Sequence, residues 1–179
     1  MSLRIYGNRV LKTLPGQATR PTSARVREAL FNIWQEKIVA CRWLDLCAGS
    51  GAMGAEALCR GAASVVGIEQ SGRACSLIEA NWQQVATAEQ RVRLLHGDVV
   101  RRLKQLQGEV FDRIYFDPPY ASGLYEPVLT AIVHYHLLAP MGEMAVEHDP
   151  TLAAPIVPGL AIYRQKVYGG TALTFYRVH

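Results

Sequence analysis

From residue 43 onward, short aliphatic-rich runs alternate with stretches whose apolar residues recur at helical spacing, a pattern that builds a parallel sheet covered by helices. Strands are predicted at Trp43–Cys47, Ser64–Glu69, Arg91–His96, Val110–Phe116 and Glu143–His148, with helices opening near Gly51, Ser71, Asp98 and Gly123 between them. Four such βα units and a fifth strand make a doubly wound sheet. Upstream, Leu3–Lys12 reads as a small hairpin turning at Gly7 and Asn8, and an irregular stretch with Pro15, Gly16 and Pro21 leads to a helix capped by Ser23. That helix gathers Val26, Leu30, Ile33, Trp34 and Ile38 on one face and sets Arg25, Glu28, Asn32, Gln35 and Glu36 mostly elsewhere, so it is expected to dock on the sheet.

The end of the chain breaks the alternation. Ala161–Tyr168 and Thr171–Val178 are strand-like runs joined by Gly169 and Gly170, which predicts a tight hairpin with positive φ at both turn positions. A mostly parallel seven-stranded α/β sheet finished by an antiparallel hairpin is unlike the ordinary dinucleotide-binding fold and resembles the Rossmann-like methyltransferase fold. The expected organisation is one compact domain, with a basic hairpin and arm over residues 1–22 and the main unit over 23–179.

A chain of 179 residues, 50% of them hydrophobic, suits one domain with a substantial core. Its charge is uneven: the net +4 includes six basic side chains before residue 28 (Arg4, Arg9, Lys12, Arg20, Arg25, Arg27) and no acidic one there, which leaves −2 on the other 152 residues. Such a segment is either an arm for a polyanion or a solvated terminus. Cys41, Cys47, Cys59 and Cys75 are too far apart for a CxxC site and read as reduced core residues. With no leader pattern and no apolar run of bilayer length, a cytoplasmic location is expected, and nothing in the sequence requires more than a monomer. His134 and His136 alternate on a helix and point apart, so no metal is expected.

Directly after the first main strand stands Gly49-Ser50-Gly51-Ala52-Met53-Gly54, a GxGxxG opening a helix. The second strand ends in Glu69, twenty residues beyond Gly49, where a carboxylate can accept hydrogen bonds from both hydroxyls of an adenosine ribose. NAD and S-adenosylmethionine both use this arrangement. A dinucleotide brings pyrophosphate to the helix N-terminus, whereas S-adenosylmethionine brings an ammonium beside a sulfonium. Asp45 suits that ammonium, directly or through water. Asp98 suits the adenine amino group, with Val99 offering a backbone donor, although Asp98 is equally placed to cap the next helix.

The fourth strand ends in Asp117-Pro118-Pro119-Tyr120. In a sheet of order 3-2-1-4-5 the first and fourth strands are neighbours, about 4.8 Å apart, and ligands bind in the crevice at their carboxyl ends. An exocyclic amino group on a base is a poor nucleophile because its lone pair is delocalised into the ring. Acceptors that hold its hydrogens favour the pyramidal geometry that attack on a sulfonium methyl needs. The Asp117 carboxylate and the Pro118 carbonyl can supply two such acceptors, Pro119 keeps the loop rigid, and Tyr120 can stack on the base.

These residues are similar to the Asp/Asn-Pro-Pro-Tyr/Phe signature of amino-group methyltransferases. Arg20-Pro-Thr-Ser-Ala-Arg-Val-Arg-Glu-Ala-Leu-Phe-Asn32, Leu44-Asp-Leu-Cys-Ala-Gly-Ser-Gly-Ala-Met-Gly54, Glu56-Ala-Leu-Cys-Arg-Gly-Ala62 and Tyr168-Gly169 extend the likeness, and nearly the whole chain resembles the bacterial 16S ribosomal RNA guanine-N2 methyltransferase family. The resemblance implies S-adenosylmethionine as donor and S-adenosylhomocysteine as product, with 16S rRNA in a small ribosomal subunit as substrate. It implies a cofactor set of Asp45, Ala48, Gly49, Ser50, Gly51, Glu69, Gln70, Asp98, Val99 and Asp117, a catalytic loop of Asp117, Pro118, Pro119 and Tyr120, and RNA contacts from Arg4, Arg9, Arg20, Arg25 and Arg27. Ala24, where a polar residue is usual, and Cys47, where phenylalanine is common, depart from the pattern without touching the chemistry. The four-residue signature alone leaves DNA adenine or a protein glutamine open as acceptor. A catalytically silent ribosome-assembly protein and an NAD oxidoreductase are the competing classes.

Overall fold

The computed structural model describes residues 2–13 and 24–179. Ser23, the expected cap, the Pro15–Pro21 stretch and Arg20 lie outside them. The N-terminal hairpin forms from β1 (Ser2–Arg4) and β2 (Val10–Lys12), closed by a 3-10 turn in which Gly7 (φ +71°) and Asn8 (φ +59°) take left-handed conformations. The helix α1 (Ala24–Trp34) leads into β3 (Arg42–Leu46), α2 (Ala52–Cys59), β4 (Ser64–Glu69), α3 (Gly72–Val85) and β5 (Arg91–His96). There follow α4 (Val99–Leu103), β6 (Phe111–Phe116), α5 (Tyr125–His134), β7 (Leu138–His148), β8 (Leu160–Tyr168) and β9 (Thr171–Val178).

The main sheet runs β5-β4-β3-β6-β7-β9-β8, parallel from β5 to β7 and antiparallel through β9 and β8. The expected class and the order of the first five strands are those observed. Three details differ. The last strand, β9, inserts beside β7 and leaves β8 on the edge. At the hairpin, positive φ is confined to Gly169 (+62°) instead of extending to Gly170, which is the pattern of a type II′ turn rather than I′. Finally, β7 begins at Leu138, five residues before the predicted start, because a register shift opposite Phe111 and Arg113 carries the strand past Pro140 and Gly142.

Each face of the sheet carries its own core. Trp43, Tyr115, Leu173 and Phe175 meet α1, α2, α3 and the N-terminal hairpin on one side, and Leu44, Ile68, Ile114 and Met144 meet α4 and α5 on the other. The α1 face is seated by aromatic rings: Phe31 stacks on Trp43 at 5.3 Å, and Trp34 meets Trp43 and Phe175 edge-on at 5.6 and 5.9 Å. Phe31 is buried and Ile33 only half-buried, so the docked face is rotated slightly from the predicted one.

Below these rings sits Glu143, 3% exposed. It accepts hydrogen bonds from Trp34 Nε1 (2.7 Å), Lys37 Nζ (2.6 Å), Tyr163 Oη (2.7 Å) and Arg177 Nη2 (2.7 Å), joining α1 to three strands. Burial alone would raise its carboxyl, but the bonds from Lys37, Tyr163 and Arg177 prevail and hold it at about 2, from an ordinary 4.5. A depressed carboxyl contributes stability above its unfolded value and loses it as pH falls through the folded one. The protein is therefore expected to lose about 3 kcal/mol between pH 4.5 and 2 through this group. In acid denaturation, Glu143→Gln should be less stable at pH 7 and show a shallower limb in that window; parallel limbs would assign the acid sensitivity elsewhere.

Candidate active site

Strands β3 and β6 are in register to their last residues, Leu46 opposite Phe116, and the Asp117 amide donates to the Leu46 carbonyl at 3.4 Å. The glycine loop and the Asp117–Tyr120 loop therefore leave the sheet side by side, as the predicted order requires. Cys47, the first residue beyond β3, has φ +61°, turning the chain sharply into the loop. Its thiol is pushed up to about 12, first by burial and then by the carboxylates of Glu69, Asp117, Asp45 and Asp98. Four acids predicted from separate stretches of sequence thus all act on this thiol, and Cys47 itself is held neutral.

The loop is stapled from below. Asp45, buried in β3, accepts from the Gly54 amide at 2.9 Å, and burial pushes its carboxyl up to about 7, the Gly54 bond opposing and the Glu69 charge adding. Glu69 accepts from the Gly49 amide through one oxygen and from the Ser71 amide through the other, both at 2.8 Å. Each oxygen keeps a lone pair for a ligand hydroxyl. Asp98 caps α4, its Oδ1 accepting from the Arg101 amide at 2.9 Å, so the capping alternative is realised. Val99 is the first residue of that helix, where backbone donors lack intrahelical acceptors. Ala48, Gly49 and Ser50 are partly exposed along the loop, and Gln70 is exposed with its carbonyl 3.0 Å from His96 Nε2.

The residues that sequence reading missed are on α3. The Trp82 indole donates to the Gly51 carbonyl at 2.7 Å, and its ring fills the space that a Cβ at Gly51, Gly54 or Gly67 would need: such atoms would lie 2.9, 2.6 and 2.4 Å from it. Two motif glycines are therefore small because of a tryptophan. Next to it, fully buried Asn81 accepts from the Lys12 amide (3.0 Å) and donates to the Lys12 carbonyl (3.0 Å) and the Ser50 carbonyl (3.3 Å), tying the N-terminal hairpin to the loop. A lone asparagine in an otherwise apolar helix face was the available signal.

In the second loop, Pro118 is buried, Pro119 exposed, and Asp117 and Tyr120 lie between these extremes. The Tyr120 hydroxyl is 3.2 Å from Oγ1 of Thr171, the first residue of β9, so the hairpin tip borders the loop. A cavity of about 450 Å³ lined by Arg42, Ser64, Val66, Arg91, Arg93 and Phe111 opens at the opposite end of the sheet and contains none of these residues.

Of the expected RNA-contacting arginines, Arg4, Arg9 and Arg25 are exposed. Arg9 also donates to the Val85 carbonyl (2.9 Å) and to Cys59 Sγ (3.6 Å). Arg27 must be corrected: it is 3% exposed, paired with the 2% exposed Glu56 at 2.6 Å, and donates to the Arg4 carbonyl at 2.7 Å. Buried pairing locks the hairpin to α1 and α2 and takes this guanidinium out of solvent. The four cysteines are free, and Cys47 and Cys59 are half-buried rather than in the core. Among the described residues no cluster suits a metal ion, and no helix is long and apolar enough to cross a membrane.

Residues 3–177 match the family model described as "Conserved hypothetical protein 95". A curated relative, ribosomal RNA small subunit methyltransferase D of Escherichia coli K12, is 32% identical over 98% of this chain and 89% of its own. The solved structure of yhhF from Escherichia coli is 31% identical, with a TM-score of 0.85 over 99% of this chain and 98% of that one. SMU.776, solved in complex with SAH, shares the fold at 15% identity and a TM-score of 0.64, covering 86% and 48%.

Removing the Arg27 side chain leaves buried Glu56 with Arg60, at 2.8 Å, as its ion-pair partner among the described residues, and leaves the Arg4 carbonyl without this donor. Arg27→Ala is expected to cost about 2 kcal/mol in urea unfolding, through the lost packing and charged hydrogen bonds, whereas Arg25→Ala stays within about 0.5 kcal/mol. Equal losses would contradict the buried pairing.

Proposed function

The chain belongs to the conserved hypothetical protein 95 family, and from that premise we propose that it transfers a methyl group from S-adenosylmethionine to the exocyclic amino group of a guanine in 16S rRNA of the small ribosomal subunit. The observation that carries the reading is the side-by-side exit of the glycine loop and the Asp117–Tyr120 loop from β3 and β6, with Glu69 bonded to the Gly49 amide and Asp45 to the Gly54 amide. A crevice walled by carboxylates favours a cationic, hydroxyl-bearing ligand and opposes the pyrophosphate of a dinucleotide. The name of the Escherichia coli relative supports rRNA as the acceptor.

When bound, S-adenosylmethionine supplies an electrophilic methyl on a sulfonium. The protein's part is to hold and orient. Glu69 accepts the ribose hydroxyls while its amide bonds keep the glycine loop in shape, and Gln70 borders the ribose. The second oxygen of Asp98 accepts the adenine amino group, and the Val99 amide donates to the ring. Asp45 faces the ammonium from beneath the loop formed by Ala48, Gly49, Ser50 and Gly51. On the acceptor side, the Asp117 carboxylate and the Pro118 carbonyl take the two amino hydrogens and turn the nitrogen lone pair toward the methyl, with Pro119 limiting the loop's freedom. Tyr120 stacks on the guanine, its ring angle fixed through Thr171. The amino proton becomes acidic only as the new bond forms and leaves late, along its hydrogen bond to the Asp117 carboxylate and on to water. Arg4, Arg9, Arg20 and Arg25 hold the RNA backbone.

The deciding measurement is transfer of labelled methyl to small subunits from cells lacking the gene. Label recovered as N2-methylguanosine is expected; label on DNA or protein instead would overturn the acceptor, and no transfer at all would favour a silent assembly factor. In the same assay Asp117→Ala should lower kcat about 100-fold or more while cofactor affinity stays within a few-fold, and near-normal turnover would remove Asp117 from the chemistry.

A further expectation follows from the Asp45 carboxyl at about 7. A cationic ligand binds the ionised form, so calorimetric affinity for S-adenosylmethionine should fall as pH drops below 7, by up to ~10-fold per unit. Asp45→Asn should flatten this profile; an unchanged profile would separate Asp45 from the ligand.

A further inference from the structure

Every Asp and Glu of the chain lies between Glu28 and Asp149. The basic arm occupies one end of the sequence, and the other end, residues 150–179, carries Arg164, Lys166 and Arg177 with no acidic side chain. Arg177 is engaged with Glu143 and lies over the Tyr163 ring at 3.9 Å. Arg164 and Lys166 are exposed on β8, and among the described residues neither takes part in an ion pair.

Register fixes which way these two residues face. Lys166 is opposite Leu173 and Arg164 opposite Phe175, and both partners belong to the core on the α1 side. Directly paired residues project from the same face of a sheet, so Arg164 and Lys166 share the face that carries α1 and the N-terminal hairpin. Two residues beyond Lys166, Tyr168 packs on that core and pairs with Thr171, whose hydroxyl meets Tyr120. At ~3.3 Å per residue, the two cations stand roughly 7 and 13 Å along the strand from the hairpin tip that borders the catalytic loop. The last turn of α1 sits at Glu143, so its first turn, with Arg25, lies toward the same end of the sheet.

We infer that β8 is a second RNA-contacting edge, where Arg164 and Lys166 hold phosphates of the strand whose base enters the Asp117–Tyr120 loop, across α1 from the N-terminal hairpin. Charges on an edge strand also discourage strand-to-strand aggregation, but carboxylates serve that purpose equally. A segment that carries no carboxylate from residue 150 to 179 and exposes two cations on its edge strand is matched to a polyanion. This inference rests on the proposed RNA methyl transfer.

The test is filter binding of the full-length protein to unmethylated small subunits across a salt series. The double variant Arg164→Gln, Lys166→Gln should lower affinity roughly 10-fold at 0.1 M salt and reduce the slope of log K against log salt by about 1.4, for two single-strand phosphate contacts. S-adenosylmethionine affinity should stay unchanged. The charge-keeping variant Arg164→Lys, Lys166→Arg should bind like the native protein. Native affinity and slope in the Gln variant would overturn the inference while leaving the methyl-transfer reading intact, and so would an equal loss in the charge-keeping variant, which would point to strand structure. Failure of the native protein to bind or methylate subunits would sink both.

Discussion

The hydrogen-bonded register between β3 and β6 is the constraint on which the site depends. Both strands end at the same level, with the Asp117 amide on the Leu46 carbonyl, so two loops distant in sequence start within one strand spacing of each other. A slip of one residue would reverse every side chain of β6, sending Ile114 and Phe116 out of one core and Tyr115 out of the other. The packing of two cores therefore holds the chemistry in place. The Glu143 node serves the same end from below, where one buried carboxylate fastens α1 to β7, β8 and β9.

The glycine loop is held from beneath and behind. Asp45 and Glu69 accept its backbone donors, while Trp82 and Asn81 donate to its backbone acceptors. Polar groups of a loop at the mouth of a crevice would otherwise rely on water, and here they find partners on the sheet and on α3. Asn81 also bonds both backbone groups of Lys12, so the hairpin that opens the basic arm is part of the same scaffold.

Strand and helix order was legible because strands buried on both faces read as aliphatic runs, and turn chemistry separates them. The two loops were legible because GxGxxG and Asp-Pro-Pro-Tyr carry backbone constraints in their composition. What could not be read depends on three-dimensional pairing. Arg27 resembles its neighbour Arg25 in the sequence, and only the arrival of Glu56 from α2 makes it an interior residue. The choice of β9 over β8 as the partner of β7 is likewise set by docking, since either strand of a hairpin can enter a sheet. The start of β7 was missed because Pro140 reads as a loop, whereas the register shift there accommodates it.

The indole of Trp82 fills the Cβ positions of Gly51, Gly54 and Gly67, which come from a loop, a helix and a strand. For divergence over time, this couples four sites into a single evolutionary unit. Enlarging any one glycine collides with the ring, and shrinking the ring first leaves a void between two elements while freeing the Gly51 carbonyl. Single-step paths away from this arrangement all pass through a less stable protein, so drift in this family should be slow at these positions even where they touch no ligand.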